Sequence, residues 1–259
     1  MEESRDRPRD TVTDCTYDGM ATDTSGTIVM RTRRMALTPG HVAQVHRLLE
    51  DPGPDPTWTY HADEDYRGLV QGLVASHPGG RDTWLFAYGS LIWKPEVEHL
   101  EARSGLARGW HRSFCFRIER FRGTRERPGL MMSLDRGGQC RGMVFRLHPD
   151  GLEAQLDKLV RREITVKPPN NIPRWITVET EQGTVRAIAF VMNRQSRFYM
   201  GRLPPDDVAD VLANACGHWG SCAEYLHNTV AHLDQHGIRD RNLWRLQAMV
   251  AERIQAQAP

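Results

Sequence analysis

Two short stretches of this chain carry residue types that could do chemistry. The first is Tyr88-Gly89-Ser90, where the uncharged run Trp84-Leu85-Phe86-Ala87 stops. Glycine lets the backbone turn where a side chain would obstruct it, and serine adds a hydroxyl beside amide N–H groups freed at a strand end. Such a turn can hold a carbonyl oxygen, or the oxyanion formed from it, on backbone donors. The tripeptide is common, and a plain structural turn is the alternative. The second stretch ends at Glu163. Leu152, Leu156 and Leu159 recur at i, i+4 and i+7 along a helix starting near Asp150, and the next position of that stripe, i+11, is the carboxylate. Arg161 and Arg162 point elsewhere. Burial would raise the carboxyl above the ~4.3 of a free glutamic acid, making it a better proton acceptor and a candidate general base. An ion pair with Arg161, Arg162 or another arginine at a frayed helix end is the competing account.

The elements that must position these groups follow from periodicity. Trp84–Ala87 reads as a strand buried on both faces. Trp110, Phe114, Phe116 and Ile118 alternate with mostly polar residues, as in a half-buried strand. Residues 129–134 and 140–147 supply two more, separated by the turn sequence Asp135-Arg136-Gly137-Gly138. Residues 174–179 and 184–192 form a hairpin across Glu181-Gln182-Gly183. Thr38-Pro39-Gly40 starts a helix striped by Val42, Val45, Leu48 and Leu49, which the Asp51–Pro56 run ends. A second helix covers residues 64–76, and His77-Pro78-Gly79-Gly80 stops it. Helices return over 206–216, 223–236 and 243–254. Short strands among helices, without βαβ alternation, predict an α+β domain with a mostly antiparallel or barrel-like sheet. Residues 1–34 show no period and few large apolar residues, and read as a disordered tail, with a downstream start at Met30 or Met35 as a further reading. Residues 35–259 then form one domain, a helical part over 35–80 and a core over 81–259.

Composition narrows the function classes. With 34 basic and 33 acidic residues among 259, the net charge is +1, which argues against a dedicated nucleic-acid or anionic-membrane binder. No run approaches ~20 apolar residues, and Met1–Asp23 has no apolar signal core. The expectation is a cytoplasmic protein. Cys15, Cys115, Cys140, Cys216 and Cys222 are odd in number and irregular in spacing, as for reduced thiols. His232 and His236 are four apart, but no cysteine pair or His-Glu-x-x-His completes a zinc site, so no metal is expected. Arg112, Arg117, Arg120, Arg122, Arg125 and Arg127 interleave with Phe114, Phe116 and Phe121. That pattern suits a single nucleic-acid strand, a small anionic substrate, or simply a basic strand face running into a charged loop; overall neutrality favours the last.

The chain resembles the ChaC-type, glutathione-specific gamma-glutamylcyclotransferases. The resemblance rests on Tyr88-Gly-Ser-Leu-Ile-Trp93, on Gly109-Trp-His-Arg-x-Phe-Cys115 and on Arg127-Pro-Gly-Leu-Met131. Leu134–Cys140, the Arg162-Glu163 pair and Tyr225-Leu-x-Asn-Thr-Val230 complete it, in the same order along residues 81–250. It implies a gamma-glutamylcyclotransferase-like fold, with a mixed, largely antiparallel, barrel-like sheet and flanking helices. It also implies cleavage of glutathione to 5-oxoproline and cysteinylglycine without cofactor or metal. By the same resemblance Glu163 is the base, Ala87, Tyr88, Gly89, Ser90, Leu91 and Ile92 form the substrate loop, and Tyr199 lies near the substrate. Two departures stand out. The aromatic residue usual before the Arg-Glu pair is replaced by Leu159-Val160, and a short tyrosine-containing link by Lys167–Arg174. Other γ-glutamyl amides, or a non-catalytic binding role, are the alternatives. Oligomeric state is not legible.

Overall fold

In the computed structural model the four residues of the uncharged run, Trp84–Ala87, are all buried, with paired strands on both edges. Residues 34–257 are described throughout. Before them only the backbones of Met20–Thr22 (β1) and Ile28–Met30 (β2) are, an antiparallel pair within a separate unit. The rest of the expected 1–34 tail, Cys15 included, lies outside the described residues.

The larger unit runs α1 (Pro39–Val45), β3 (Thr59–Tyr60), α2 (Asp63–Ala75), β4 (Trp84–Ala87), a 3-10 turn (Ser90–Ile92) and β5 (His99–Ile118). Then come β6 (Gly129–Leu147), α3 (Leu152–Glu163), β7 (Val166–Lys167), β8 (Asn171–Thr180) and β9 (Gly183–Met192). The chain finishes with α4 (Pro205–Asn214), β10 (Cys216–Gly217), β11 (Gly220–Ser221), α5 (Cys222–Gln235) and α6 (Arg241–Ala256). Five strands close a barrel in the order β4-β6-β5-β8-β9. The pairings are antiparallel except where β9 meets β4 and β6. This is the expected α+β class with a mixed, largely antiparallel barrel.

Strand β4 is enclosed on every side, which is why it carries no charge: an unpaired charge there would be stripped of water with nothing to replace it. Leu85, Phe86, Leu134, Ile188 and Phe190 are at most 1% exposed. Each contributes roughly 1.5–3 kcal/mol by leaving water. Helix α5 buries Leu226, Val230 and Leu233 and lies against the 3-10 turn and β6. No helix among the described residues is long and apolar enough to cross a membrane.

Two expectations need correction. Asp135–Gly138 does not turn the chain back; β6 runs unbroken through it, paired with β5 from Gly129 to Leu147. Gly137 and Gly138 adopt φ of 105° and 65°, opposite an irregularity between Arg108 and Trp110, so the glycines coil a long strand pair. The first helix stops at Val45, and Leu48 is 94% exposed. After His46 leaves the helix in an extended conformation, the chain continues to Asp51, whose carboxylate takes the Arg120 guanidinium at 2.7 Å. A long-range ion pair, invisible to local periodicity, accompanies that departure.

Candidate active site

The site forms where β4 ends. Tyr88 is buried and its hydroxyl donates to the Phe190 carbonyl at 2.8 Å. The Tyr88 carbonyl accepts from Nε of Arg112 at 2.7 Å, and Arg112, its side chain 3% exposed, also pairs with Asp240 at 3.1 Å. The peptide entering the turn is thus clamped on both sides. The turn closes through Ile92 N–H to Gly89 O at 2.9 Å and Lys94 N–H to Ser90 O at 2.8 Å. Its first N–H groups, on Ser90 and Leu91, have no acceptor within the turn itself, and the Ser90 N–H is directed to the Tyr225 hydroxyl. Gly89 is required by space: a Cβ there would sit 2.9 Å from the buried Tyr225 hydroxyl and 3.2 Å from Met132 Cε.

Glu163 is the last residue of α3. Leu156, Leu159 and Val160 are buried at 2%, 0% and 0%, so the stripe holds and carries the carboxylate to the core-facing side. Its side chain is 16% exposed, and Arg162 Nε lies 3.2 Å from Oε1. Desolvation raises its pKa above the ordinary value, against the opposing pull of Arg162. The base reading and the ion-pair reading therefore describe one group. Arg162 does not point elsewhere, as periodicity suggested. Its Nη2 donates to Ser90 Oγ at 3.0 Å and its Nη1 donates to the Lys94 carbonyl. One guanidinium ties the carboxylate to the turn.

Tyr88, Gly89, Ser90, Leu91 and Glu163 line one cleft of about 890 Å³. Ala87 and Ile92 are buried at 0% and 7% beside it and support the turn. Tyr199 is not among the lining residues. Its hydroxyl donates to Asp135 Oδ2 at 2.9 Å, on a side chain that also holds Arg194 at 2.7 Å. The sequence reading overlooked Tyr225, which is fully buried, lines the cleft, and has its hydroxyl raised by burial and by the nearby Glu163 charge. The quoted Tyr225–Val230 block held that signal. Trp58 also lines the cleft, and nothing in its local pattern marks it.

The interleaved arginines do not make a bare basic face. Arg112, Arg117, Arg120, Arg122 and Arg125 pair with Asp240, Glu119, Asp51, Glu224 and Asp55 respectively. Among the described residues no cluster of His, Cys, Asp and Glu has metal-holding geometry. His232 instead donates from Nδ1 to the Asn228 carbonyl at 2.7 Å and stacks on Trp93.

The cleft brings a carboxylate whose pKa is raised by burial together with the glycine-containing turn, an arrangement suited to removing a proton beside a carbonyl. A family model described as ChaC-like protein matches residues 83–253. The glutathione-specific gamma-glutamylcyclotransferase of Escherichia coli (strain K12) is 34% identical over 181 residues, covering 70% of this chain and 78% of that protein. Gamma-glutamylcyclotransferase 2-3 of Arabidopsis thaliana is 27% identical over 169 residues, 62% of this chain and 84% of that one. The fold matches the crystal structure of a selenomethionine-labelled gamma-glutamyl cyclotransferase specific to glutathione from yeast. Its TM-score is 0.60 at 18% identity, over 67% of this chain and 97% of that one.

Proposed function

This chain belongs to the ChaC-like protein family, and we propose that it is a gamma-glutamylcyclotransferase cleaving glutathione to 5-oxoproline and cysteinylglycine. The observation that carries the reading is the meeting of Glu163, its pKa raised by burial, with the Tyr88–Leu91 turn in one cleft. The glutamyl α-amine is mostly an ammonium near neutral pH and cannot attack. Glu163 takes a proton from it, and the nitrogen lone pair adds to the γ-carbonyl, closing a five-membered ring. The carbonyl oxygen becomes an oxyanion held by backbone N–H groups of the Tyr88–Leu91 turn. The C–N bond to the cysteine nitrogen then breaks as Glu163 returns its proton to that nitrogen, and the second proton of the ring nitrogen passes through the freed carboxylate to the departing amine, which leaves as an ammonium. Nucleophile and electrophile belong to one substrate, so the cleft's main task is to hold the reactive pose. This scheme calls on no cofactor or metal.

We place the reaction in the cytoplasm, because Cys115, Cys140, Cys216 and Cys222 are free and buried, as in a reducing compartment. The test is 5-oxoproline release from glutathione by wild type beside Glu163→Gln, with γ-glutamylalanine as second substrate. Release by wild type and near silence in the variant supports both reaction and base. Release from γ-glutamylalanine alone would move the protein to other γ-glutamyl amides. No release from either by a folded protein would overturn the reading.

A further inference from the structure

Residues 46–61 precede the segment that matches the family, yet they reach the cleft. One end of this strap is sewn beside the base. Strand β3 pairs with β7 through Thr59–Lys167 and Tyr60–Val166, the His61 N–H donates to Thr165 O at 3.2 Å, and Lys167 pairs with Asp65. The other end is sewn to the loop between β5 and β6. Asp51 accepts from Nε and Nη2 of Arg120 at 2.8 and 2.7 Å, and Asp55 takes Arg125. Between these anchors Trp58 lies on the cleft wall, its ring 5.1 Å from Phe198 and under the Arg197 guanidinium at 5.5 Å.

The strap changes the character of one part of the cleft. Arg120 and Arg122 both line it, and both are occupied, Arg120 by Asp51 and Arg122 by Glu224 at 2.6 Å and the Ser221 carbonyl at 2.8 Å. The Arg120 guanidinium holds Asp51 down at about 2, so that pair stays ionised and mutually neutralised at any working pH. Around these pairs stand Trp58, Phe116, Phe121, Phe198 and Trp219, the last 63% exposed and 4.3 Å from Phe121. A volume of about 890 Å³ is near the upper end of small-molecule sites, which run to ~1,000 Å³.

A γ-glutamyl substrate has its α-amine at Glu163 and its carbonyl at the turn. Whatever is bonded to the γ-nitrogen must therefore extend along the rest of the cleft. We propose that the Asp51–His61 strap is a specificity element, with Trp58 forming an aromatic, charge-neutralised subsite for the amine side of the substrate, so that glutathione carrying an apolar S-substituent is a substrate as well as glutathione itself. This rests on the cyclotransferase reading. The ring closure is unchanged, since the sulfur takes no part in it; the thioether leaves intact on the S-substituted cysteinylglycine.

The test measures 5-oxoproline release from glutathione, S-benzylglutathione and γ-glutamylalanine by wild type, Trp58→Ala and Trp58→Phe. Wild type is expected to cleave S-benzylglutathione with a kcat/KM no lower than that for glutathione. In Trp58→Ala the ratio of kcat/KM for S-benzylglutathione to that for glutathione falls about tenfold, through KM, as loss of one aromatic contact implies. Trp58→Phe keeps most of the ratio. Equal losses on all three substrates in Trp58→Ala, with no rescue by phenylalanine, would mean that Trp58 only holds the fold and would overturn the inference. Failure of wild type on S-benzylglutathione alone overturns it while leaving the reaction standing. Failure on all three removes the cyclotransferase reading and this inference together.

Discussion

Two carboxylates in this protein are withdrawn from solvent, and they behave oppositely. Asp135 lies on β6 and is 5% exposed. Its oxygens accept from Arg194 Nε at 2.7 Å, the Arg136 N–H at 2.8 Å and the Tyr199 hydroxyl at 2.9 Å. Desolvation pushes its pKa up, but these donors outweigh it and the net shift is downward. Glu163, at the end of α3, has Arg162 as its one ion-pair partner among the described residues, 3.2 Å away, and desolvation wins. Burial therefore does not by itself make a base. A carboxylate left short of donors is ready to take a proton, whereas one saturated with them is a structural anion.

Four experiments sharpen or break that contrast. The largest effect is expected from Glu163→Gln, which should lower kcat for 5-oxoproline release about 10³-fold, within the range of general-base losses. Asp135→Asn should keep kcat within a fewfold, and similar losses in the two variants would erase the distinction. Second, Asp135→Asn should lower stability by about 2 kcal/mol in urea denaturation, because Arg194 and Tyr199 lose a charged acceptor. Third, Arg162→Gln removes the one cation that opposes desolvation of Glu163. The base then binds its proton more tightly, so the acid limb of the kcat/KM–pH profile should move to higher pH, with severalfold lower activity just below neutrality. Arg194→Gln should leave that limb where it is. A limb unmoved by Arg162→Gln would mean that the cation does not set the base.

The smallest effect concerns stability against pH, and its sign differs between the two sites. A carboxyl whose folded pKa is raised, like Glu163, contributes stability below its unfolded value near 4.5 and loses that contribution as pH rises through the folded value. Glu163→Gln should therefore be more stable than wild type at pH 7, by about 0.5–1 kcal/mol. Asp135, whose pKa is lowered, contributes above its unfolded value near 3.8 and loses the contribution as pH falls through the folded value. The destabilisation by Asp135→Asn should thus shrink in acid. Denaturant midpoints of both variants at pH 7 and at about pH 2.5, below the unfolded values of both groups, decide this. Parallel pH dependences would refute the opposite assignments.

Much of the fold was legible because local pattern and tertiary burial agree. The uncharged Trp84–Ala87 run is the enclosed strand it suggested, and the Leu152–Leu156–Leu159 stripe delivers Glu163 to the core-facing side of α3. The hairpin across Glu181-Gln182 also forms as expected, with β8 starting earlier, at Asn171. Where pattern failed, a distant partner intervened. Asp135-Arg-Gly-Gly138 has turn chemistry, but β5 alongside offers continuous pairing and the glycines coil the strand instead. Leu48 fits a helical stripe, but α1 ends three residues before it. Tyr199 comes from the resemblance, not from pattern; its hydroxyl donates to Asp135.

By itself, then, the order of residues determined the elements and the two ends of the proposed site: a glycine-containing turn after a buried strand, and a carboxylate on an apolar stripe. Both are local properties, set by side-chain period and by the space a missing Cβ leaves. Only the tertiary structure decided that Arg162 joins these ends, that the neighbouring arginines are already occupied, and that Trp58 completes the cleft wall. Those facts depend on which charges and rings meet across long stretches of chain. A pKa or an ion pair is a property of surroundings, and the surroundings exist only once the barrel has closed.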